Sequence, residues 1–301
     1  MTNTKLPKIL VIVGPTTSHK THLAVEIANK FDGEIINADA YQVYKDMSIG
    51  TNAPTKQELE SAVFHLNQVI SLTDEWDIKK FQTKCLAVIK DILSRGKLPI
   101  LVGGSNLYVD AIIKNYDLSS AKRNEAYDQY DNQKLYELLF AQNPELAKKT
   151  GVNNKRRLTR ALEIINETKD PNALVKTNEP IFDYLMIECN YPTRAELYDS
   201  INNKVGQMIN SGWKQEVLDI MKKYPNLDLL HNVGFKAIGY SDFYLSIINN
   251  TPVNEELIKQ KVRRYAKRQI TWINNKYPEH LLFDQSNKAE IFKQIELWKA
   301  K

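Results

Sequence analysis

The sequence predicts an α/β protein built on a parallel β-sheet core, with a helical insertion domain in the middle of the chain. Three observations lead to this fold class. Short β-rich runs alternate with amphipathic helical segments over the first third, polar helical sequence follows, and a further strand-like segment comes after it. Strands separated by helices pair in parallel, and the helices cover the faces of the sheet.

The elements of this sheet follow one another along the chain. A strand at residues 8–13, KILVIV, leads into an amphipathic helix from Thr21 to Phe31. The apolar runs EIINA and LPILVGG are the next two strands, and a helix from Asp77 to Ser94 lies between them. The segment YLMIEC, Tyr184 to Cys189, resumes the strand pattern after the insertion.

Composition is that of an ordinary soluble globular protein. The 301 residues are 43% hydrophobic and 26% charged, with a net charge of +5. Cys85 and Cys189 form no CxxC motif, which argues against a disulfide framework or a zinc site. No apolar stretch has the length of a signal peptide or a membrane span, so we expect a cytoplasmic monomer without membrane contact. We predict a core in two parts, 1–115 and 181–301, and a helical insertion at 116–180.

The first loop after a strand, GPTTSHKT from Gly14 to Thr21, has the spacing of a phosphate-binding P-loop except that His19 replaces the second glycine. A turn that leads into a helix offers backbone N–H groups and the positive helix end to an anion. Lys20 would add a mobile charge, and the Thr21 hydroxyl would reach Mg²⁺. A diphosphate or triphosphate is the expected ligand, and a helix start capped by Ser18 is the structural alternative.

Two further loops follow predicted strands. Asp39, in the second loop at Ile36–Thr51, could bind Mg²⁺, cap a helix or accept a proton. In the third loop, Gly103 and Gly104 allow close backbone approach and Ser105 offers a hydroxyl. A helix cap and a plain strand-to-helix turn are the alternatives. Because the carboxyl ends of parallel strands meet at one edge of a sheet, we predict that the three loops share one ligand site.

Two cationic clusters favour a nucleic-acid partner. One lies in a C-terminal helical run, LIKQKVRRYAKRQITWINNKY, where Lys259, Arg263 and Lys267 share a face beside aromatic residues. The other begins a helix of the insertion. Either cluster alone is most often a solvated face, but two of them beside a phosphate site suit an RNA backbone. The candidate RNA contacts are Lys155, Arg156, Arg157, Arg160, Arg263, Lys267 and Arg268.

Eight blocks of the sequence, taken in order, resemble the bacterial tRNA dimethylallyltransferase family. They are GPTTSHKT, DAYQVYKDMSIGT, FHL, LVGGSNLY, NNKRRLTRALE, TRAELYDSINNKVGQMINSG, VGFKAIGY and RRYAKRQITW. The resemblance implies a P-loop kinase-like core and a transferase that moves a dimethylallyl group from dimethylallyl diphosphate to N6 of the adenosine at tRNA position 37. It implies tRNAs that read UNN codons, contact with the anticodon stem-loop, Mg²⁺ as cofactor, and release of pyrophosphate without ATP hydrolysis.

The resemblance also implies roles for individual residues. Asp39 matches the family's general base, and Ser105 matches a threonine that contacts the target base. Arg194 matches an arginine near the diphosphate, Arg263 matches the arginine of a Thr-Arg pair, and Arg123 is the nearest candidate for an arginine at the start of the insertion. The metal ligands implied are Thr21 and Asp39. The flipped-out adenosine would meet Asp39, Ala40, Tyr41 and Gln42. The diphosphate would meet Gly14, Pro15, Thr16, Thr17, Ser18, His19, Lys20, Thr21 and Arg194.

Several positions depart from the family pattern. His19 and Asn106 replace glycines, Ala40 replaces a serine, and Asn52 with Ala53 replaces an Ala-Lys pair. We expect these changes to weaken diphosphate binding, and we expect the His19 ring to turn away from the phosphates or to donate to them when protonated. The alternative functions are a weakened or inactive tRNA-binding paralogue, a small-molecule P-loop kinase, and transfer to a free adenine nucleotide.

Overall fold

The chain divides into two units. The first comprises Met1–Ile113 and Pro180–Lys301, and the second is Lys114–Glu179. The predicted insertion, 116–180, covers almost the same residues as the second unit. In this computed structural model the described stretches of the chain are 5–118, 123–170, 176–177 and 179–301.

The first unit begins with alternating strands and helices, as the sequence predicts. Every residue of its fourth strand is buried, which is typical of a strand covered by helices on both faces. The predicted helix after Asp77 is confirmed, and the Asp77 side chain caps it by accepting a hydrogen bond from the Lys80 N–H. The elements are β1 (Lys8–Val13), α1 (Lys20–Phe31), β2 (Gly33–Asn37), α2 (Lys56–Ser61), β3 (Phe64–His65), α3 (Ile78–Ser94), β4 (Leu98–Val102) and α4 (Asn106–Ile113).

The second unit is mainly helical. Its buried core includes Leu135, Leu139, Leu158 and Leu162, which recur at helical spacing. A short antiparallel pair of strands closes the unit near its two ends. The elements are β5 (Tyr116–Asp117), α5 (Asn132–Gln142), α6 (Pro144–Thr150), α7 (Lys155–Thr168) and β6 (Lys176–Thr177).

The chain then returns to the first unit with one more long strand and a series of helices. The predicted strand at Tyr184–Cys189 is confirmed and starts one residue earlier. Among the described residues, no helix is both long and apolar enough to cross a membrane. The elements are β7 (Asp183–Cys189), α8 (Arg194–Asn210), α9 (Trp213–Lys223), α10 (Tyr240–Ile248), α11 (Glu255–Lys276), β8 (Leu281–Phe283) and α12 (Lys288–Ala300).

The main sheet has six parallel strands in the order β3-β2-β4-β1-β7-β8, which confirms the predicted fold class. β1 lies in the middle, with Leu10 opposite Ile100 of β4 and Leu185 of β7. Leu10 packs with the core under α1 and α12, whereas Val11 packs with the core on the opposite face. Because all strands run the same way, the loops after β1, β2 and β4 leave the sheet at one edge.

Candidate active site

A cavity of about 800 Å³ lies at the edge of the sheet where β1, β2 and β4 end. All three predicted loops line it. The remaining wall comes from α8, from the segment before α10 and from α11, so the whole cavity belongs to the first unit. Among the predicted site residues, those that line it are Thr16, Thr17, Ser18, His19, Lys20, Thr21, Asp39, Tyr41, Gln42 and Arg268.

The loop after β1 has an unusual backbone conformation, in which the Thr16 and Ser18 N–H groups already donate to Gln269 Oε1 and to the Pro15 carbonyl. Gly14 has a φ of 142°, and a Cβ atom there would lie 2.1 Å from the Cys189 carbonyl oxygen, so only glycine fits. Thr17 and His19 also have positive φ, at 68° and 58°. Such alternation turns successive N–H groups toward a shared concave side that suits an anion.

The start of α1 leaves its first N–H groups without a side-chain cap. His19 is the N-cap residue, in left-handed conformation, and makes no capping hydrogen bond. Ser18 does not cap the helix either, because its Oγ donates to the Pro15 carbonyl at 2.8 Å. The alternative of a helix start capped by Ser18 is therefore wrong. The uncapped N–H groups at the positive end of α1 suit an anionic ligand.

Lys20 supplies the charge of this loop. Its Nζ donates to the Pro15 carbonyl at 2.6 Å, so the ammonium folds back over the loop. Burial lowers the pKa of Lys20 to about 8, and Asp39 and Cys189 oppose that shift. A lysine with a pKa of about 8 is mostly charged at pH 7 and loses its charge as pH rises above 8, and an anion beside it would favour the charged form.

Asp39 is held at the end of β2 by backbone hydrogen bonds. Its Oδ1 accepts from the N–H groups of Tyr41 at 2.9 Å and Gln42 at 3.3 Å. Burial raises the pKa of Asp39, and those two N–H groups and Lys20 oppose the rise. A buried carboxylate with a raised pKa and a fixed orientation is suited to accept a proton near neutral pH.

Ser105 supports the Asp39 loop rather than lining the cavity. Its Oγ accepts a hydrogen bond from the Ala40 N–H at 2.9 Å. Gln42 is oriented toward the Asn52 segment, since its Nε2 donates to the carbonyls of Thr51 at 3.1 Å and Asn52 at 2.9 Å. Ser105 thus acts through the backbone next to Asp39.

Two residues that the sequence analysis did not single out hold the first loop. The Tyr191 hydroxyl donates to the Thr17 carbonyl at 2.7 Å and lies 2.7 Å from Ser200 Oγ. Gln269, on α11, accepts from the Thr16 N–H at 3.1 Å. Within the described part of the chain, the Thr17 Oγ1 atom is buried and has no hydrogen-bond partner.

The cavity wall carries cations beyond Lys20. Lys204 on α8, Lys236 before α10 and Arg268 on α11 line it. The pKa of His19 is lowered, first by burial and then by His22, Lys204 and Lys20, so its ring is neutral at pH 7. The expected donation from a protonated His19 to the phosphates stays a prediction, because a bound diphosphate would favour the charged ring.

Arg194 and Arg263 lie outside the cavity lining. Their guanidinium carbons are 4.8 Å and 5.8 Å from the centroid of the Tyr198 ring. Arg263 also donates to Asn202 Oδ1 and Glu256 Oε1, each at 2.6 Å. These contacts engage both arginines within the first unit, and the expected role of Arg194 at the diphosphate stays a prediction. Lys267 is exposed on α11.

The predicted cations of the second unit lie on its surface. Arg156 and Arg157 are exposed in the first turn of α7. Lys155 Nζ donates to the Asp128 carbonyl at 3.0 Å, and Arg123 forms an ion pair of 2.5 Å with the Asp128 carboxylate. Arg160 pairs with Glu163 at 3.2 Å.

The oxygen atoms at the cavity are compatible with a magnesium ion that also binds a substrate phosphate. Within the described ranges, no group of three His, Cys, Asp or Glu residues could hold a metal by itself. Mg²⁺ commonly needs only one or two protein oxygens, because phosphates and water complete its shell. The Thr21 and Asp39 side chains line the cavity, and the unpaired Thr17 Oγ1 belongs to the same loop as Thr21.

Comparison with known proteins gives one consistent family. The family model for IPP transferase matches residues 42–276. A curated "tRNA dimethylallyltransferase" of Malacoplasma penetrans is 39% identical over 90% of this chain and 90% of its own length. One of Lactobacillus helveticus is 37% identical over 98% of this chain and 99% of its own.

Solved structures agree. The chain is similar to the tRNA isopentenylpyrophosphate transferase of Bacillus halodurans, with a TM-score of 0.71 and 32% identity over 97% of this chain and 96% of that one. It is also similar to a eukaryotic dimethylallyltransferase captured acting on tRNA. That likeness has a TM-score of 0.76 and 29% identity, over 92% of this chain and 74% of that one.

Proposed function

The chain belongs to the IPP transferase family, and on that premise we propose that its cavity transfers a dimethylallyl group to tRNA. Prenyl transfer to tRNA is the activity of the relatives that match the chain over nearly its whole length. The observation that carries the proposal is the convergence of Lys20, Asp39 and the uncapped end of α1 on one cavity. These three features supply an anion site and a proton acceptor side by side.

The first step is the binding of dimethylallyl diphosphate. Its diphosphate would lie against the backbone N–H groups at the start of α1, and Lys20 and Lys204 are two of the cations that line the cavity. Asn52 and Ala53 stand where the family has an Ala-Lys pair, and we propose that Lys204, which lines the same cavity, supplies the charge of the missing lysine. We propose that these groups stabilise the leaving pyrophosphate.

Mg²⁺ fits this site as a cofactor. Thr21 and Asp39, which both line the cavity, would hold it together with diphosphate oxygens. When bound, the ion would neutralise charge on the departing pyrophosphate. The residues of the chain still have to orient the diphosphate and accept the proton of the amine.

Asp39 is proposed as that proton acceptor. The N6 lone pair of adenosine attacks the allylic carbon, the carbon–oxygen bond breaks, and the bonding electrons leave with the pyrophosphate. The amine then loses its proton to the Asp39 carboxylate. The raised pKa of Asp39 brings it toward the operating pH, which is favourable for a general base.

The finer points of substrate choice are also proposed. The adenosine at position 37 lies in the anticodon loop and must leave its stack to enter the cavity. Tyr41 and Gln42 line the cavity where such a base would enter. The exposed cations Arg156, Arg157 and Lys267 suit the phosphates of an anticodon stem-loop. We propose tRNAs that read UNN codons as substrates, the cytoplasm as the compartment because tRNA is there, and a monomer as the working form.

The alternative functions are not favoured. The relatives of this chain are named as tRNA-modifying enzymes, which argues against a small-molecule kinase and a free nucleotide acceptor. A binding protein without activity would not need Asp39 and Lys20 to be enclosed together, since burial of each charged group costs stability.

The test is transfer of label from dimethylallyl diphosphate to unmodified tRNA by the purified protein in the presence of Mg²⁺. Asp39→Asn should lower the rate by about 10²–10⁴-fold, which is the usual contribution of a general base. Asp46→Asn is the matched control, since Asp46 pairs with Lys223 at 2.6 Å and is not part of the cavity lining. Tight tRNA binding without transfer, or phosphorylation of a small metabolite by ATP, would overturn the proposal.

A further inference from the structure

A single buried amide links two loops of the cavity. One is the loop after β1, residues 14–19, which we call the diphosphate loop, and the other is the loop after β4. Gln269 on α11 is 2% exposed. Its Oε1 accepts from the Thr16 N–H at 3.1 Å, and its Nε2 donates to the Gly104 carbonyl at 2.8 Å. The two loops lie on either side of the amide, so their separation depends on the length of this side chain.

The Gln269 amide is also connected to the loop after β2, which carries Asp39, the proposed general base. Gly104 is followed by Ser105, whose Oγ holds the Ala40 N–H next to Asp39. A continuous series of contacts therefore runs from Thr16 through Gln269 and Gly104 to the backbone beside Asp39. The diphosphate loop and the proton acceptor are positioned by the same helix.

Glutamine is the residue type that this position needs. One partner is an N–H donor and the other is a C=O acceptor, and only a side-chain amide offers one acceptor and two donors at this length. The fit is tight, because a Cβ atom at Gly104 would lie 2.3 Å from Gln269 Nε2. One turn earlier on α11, the Tyr265 hydroxyl donates to the same Gly104 carbonyl at 3.0 Å. Two residues of α11 thus hold this carbonyl.

We propose that Gln269 is a positioning residue for the transfer reaction: it fixes the diphosphate loop relative to the Asp39 loop and thereby sets the affinity for dimethylallyl diphosphate. The inference deepens the proposed function and depends on it. Gln269 need not touch the reacting atoms. Its effect is to keep the Thr16 N–H and the loop around it in the geometry that binds the diphosphate.

The first test is Gln269→Met, which keeps the approximate size and removes both hydrogen bonds. We expect KM for dimethylallyl diphosphate to rise about tenfold, because the Thr16 N–H loses its acceptor while the Gly104 carbonyl keeps only the Tyr265 hydroxyl as donor. The Kd for tRNA should stay within about twofold, since Lys267 and the other exposed cations are unchanged. Gln82→Met is the matched control. Gln82 is also a buried glutamine that donates to a carbonyl, that of Ala111 at 2.9 Å, but it is not part of the cavity lining.

The second test is Gln269→Glu. One carboxylate oxygen can still accept from the Thr16 N–H, but the other would face the Gly104 carbonyl, and two acceptors repel. Protonation at low pH converts that oxygen into an O–H donor and restores both hydrogen bonds. The ratio of kcat/KM between variant and wild type should therefore rise as pH falls. Lys20, Asp39, Tyr265 and Arg268 also face this cavity, but they are common to both enzymes in that ratio.

The outcomes separate the inference from the proposed function. Recovery of Gln269→Glu to within about threefold of wild type at low pH, without recovery of Gln269→Met, supports a positioning role. An unchanged KM in Gln269→Met, or an equal rise in Gln82→Met, overturns the inference while wild-type transfer still supports the function. If Gln269→Met does not fold, the pH dependence of the kcat/KM ratio between Gln269→Glu and wild type tests the inference, and a ratio that does not rise as pH falls overturns it. Failure of the wild-type protein to bind dimethylallyl diphosphate in calorimetry and to transfer label overturns the function itself.

Discussion

The Lys20 ammonium and the Asp39 carboxyl line one cavity, and burial shifts the pKa of each toward its neutral form while each favours the charge of the other. Burial is the largest cause of both shifts. The two groups must be charged for the proposed reaction, one to bind the diphosphate and the other to accept a proton. The pKa values of Lys20 and Asp39 therefore define the pH range in which the free enzyme can bind the diphosphate and accept the proton.

The profile of kcat/KM for dimethylallyl diphosphate against pH should be bell-shaped. The raised pKa of Asp39 means that activity falls as pH drops and the carboxylate becomes protonated. The pKa of Lys20, about 8, places the alkaline limb there, because the ammonium loses its proton as pH rises through that value. Lys20→Arg should move the alkaline limb upward, since a guanidinium stays charged. An alkaline limb that is the same in Lys20→Arg and wild type would contradict the assignment.

His19→Gly should tighten the binding of dimethylallyl diphosphate. His19 has a φ of 58°, a conformation that glycine adopts without the steric cost paid by other residues. Removal of that cost, which is already present in the ligand-free loop, should favour folding, whereas removal of the side chain gives the phosphate room to approach the backbone and should increase affinity by about fivefold, equivalent to about 1 kcal/mol. Isothermal calorimetry measures it. His19→Ala removes the ring but keeps the Cβ atom, so it should recover less, and unchanged affinity in His19→Gly would show the prediction to be wrong.

Lys204→Met should weaken the binding of dimethylallyl diphosphate about tenfold and leave tRNA binding nearly unchanged. Lys204 lines the cavity and is close enough to His19 to lower its pKa. Loss of one charge-assisted contact is worth on the order of 1–3 kcal/mol. Lys214→Met is the control, because Lys214 is exposed at the start of α9 outside the cavity lining. Equal KM values for dimethylallyl diphosphate in the two variants would show that Lys204 does not contribute to diphosphate binding.

Glu34 should make the free energy of unfolding of the first unit decrease as pH falls. The Arg95 guanidinium, 2.8 Å away at Nη2, is the main cause that lowers the pKa of Glu34 from 4.5 to about 2. A depressed pKa stabilises the fold above the unfolded value, and that stability is lost as pH falls from about 5 toward 2. Relative to Glu34→Gln, wild type should be more stable by about 2 kcal/mol at pH 7, and the difference should shrink in acid. Urea unfolding at several pH values measures it, and a pH-independent difference would refute it.

Local patterns in the sequence predict the sheet and its loops well. β1 is confirmed at residues 8–13, and the loops with Lys20 and Asp39 meet at one edge as expected, because apolar runs and loop order are local features. The long-range contacts are harder to predict. Arg194 shares the Tyr198 ring with Arg263, and nothing in the spacing of the chain indicates that pairing.

Gln269 and Lys204 are two cavity residues that the sequence analysis did not predict. Gln269 stands in the buried stripe of α11 with Ala266 and Ile273, and a glutamine in such a stripe is a signal that an amide meets buried backbone groups. Lys204 gives no such signal, since it is one of many lysines on polar helices. Its place at the cavity follows only from the packing of α8 against α11.

Under the proposed function, this cavity attaches a dimethylallyl group to one adenosine of tRNA. The most direct measurement is nucleoside mass spectrometry of unmodified tRNA after incubation with the protein, dimethylallyl diphosphate and Mg²⁺, with fragment mapping to locate the change. We predict N6-dimethylallyladenosine at position 37 with wild type and Asp46→Asn, and its loss with Asp39→Asn. Unmodified adenosine at position 37 after incubation with wild type would overturn the proposed function. Dimethylallyl transfer that persists in Asp39→Asn would overturn the assignment of Asp39 as the proton acceptor.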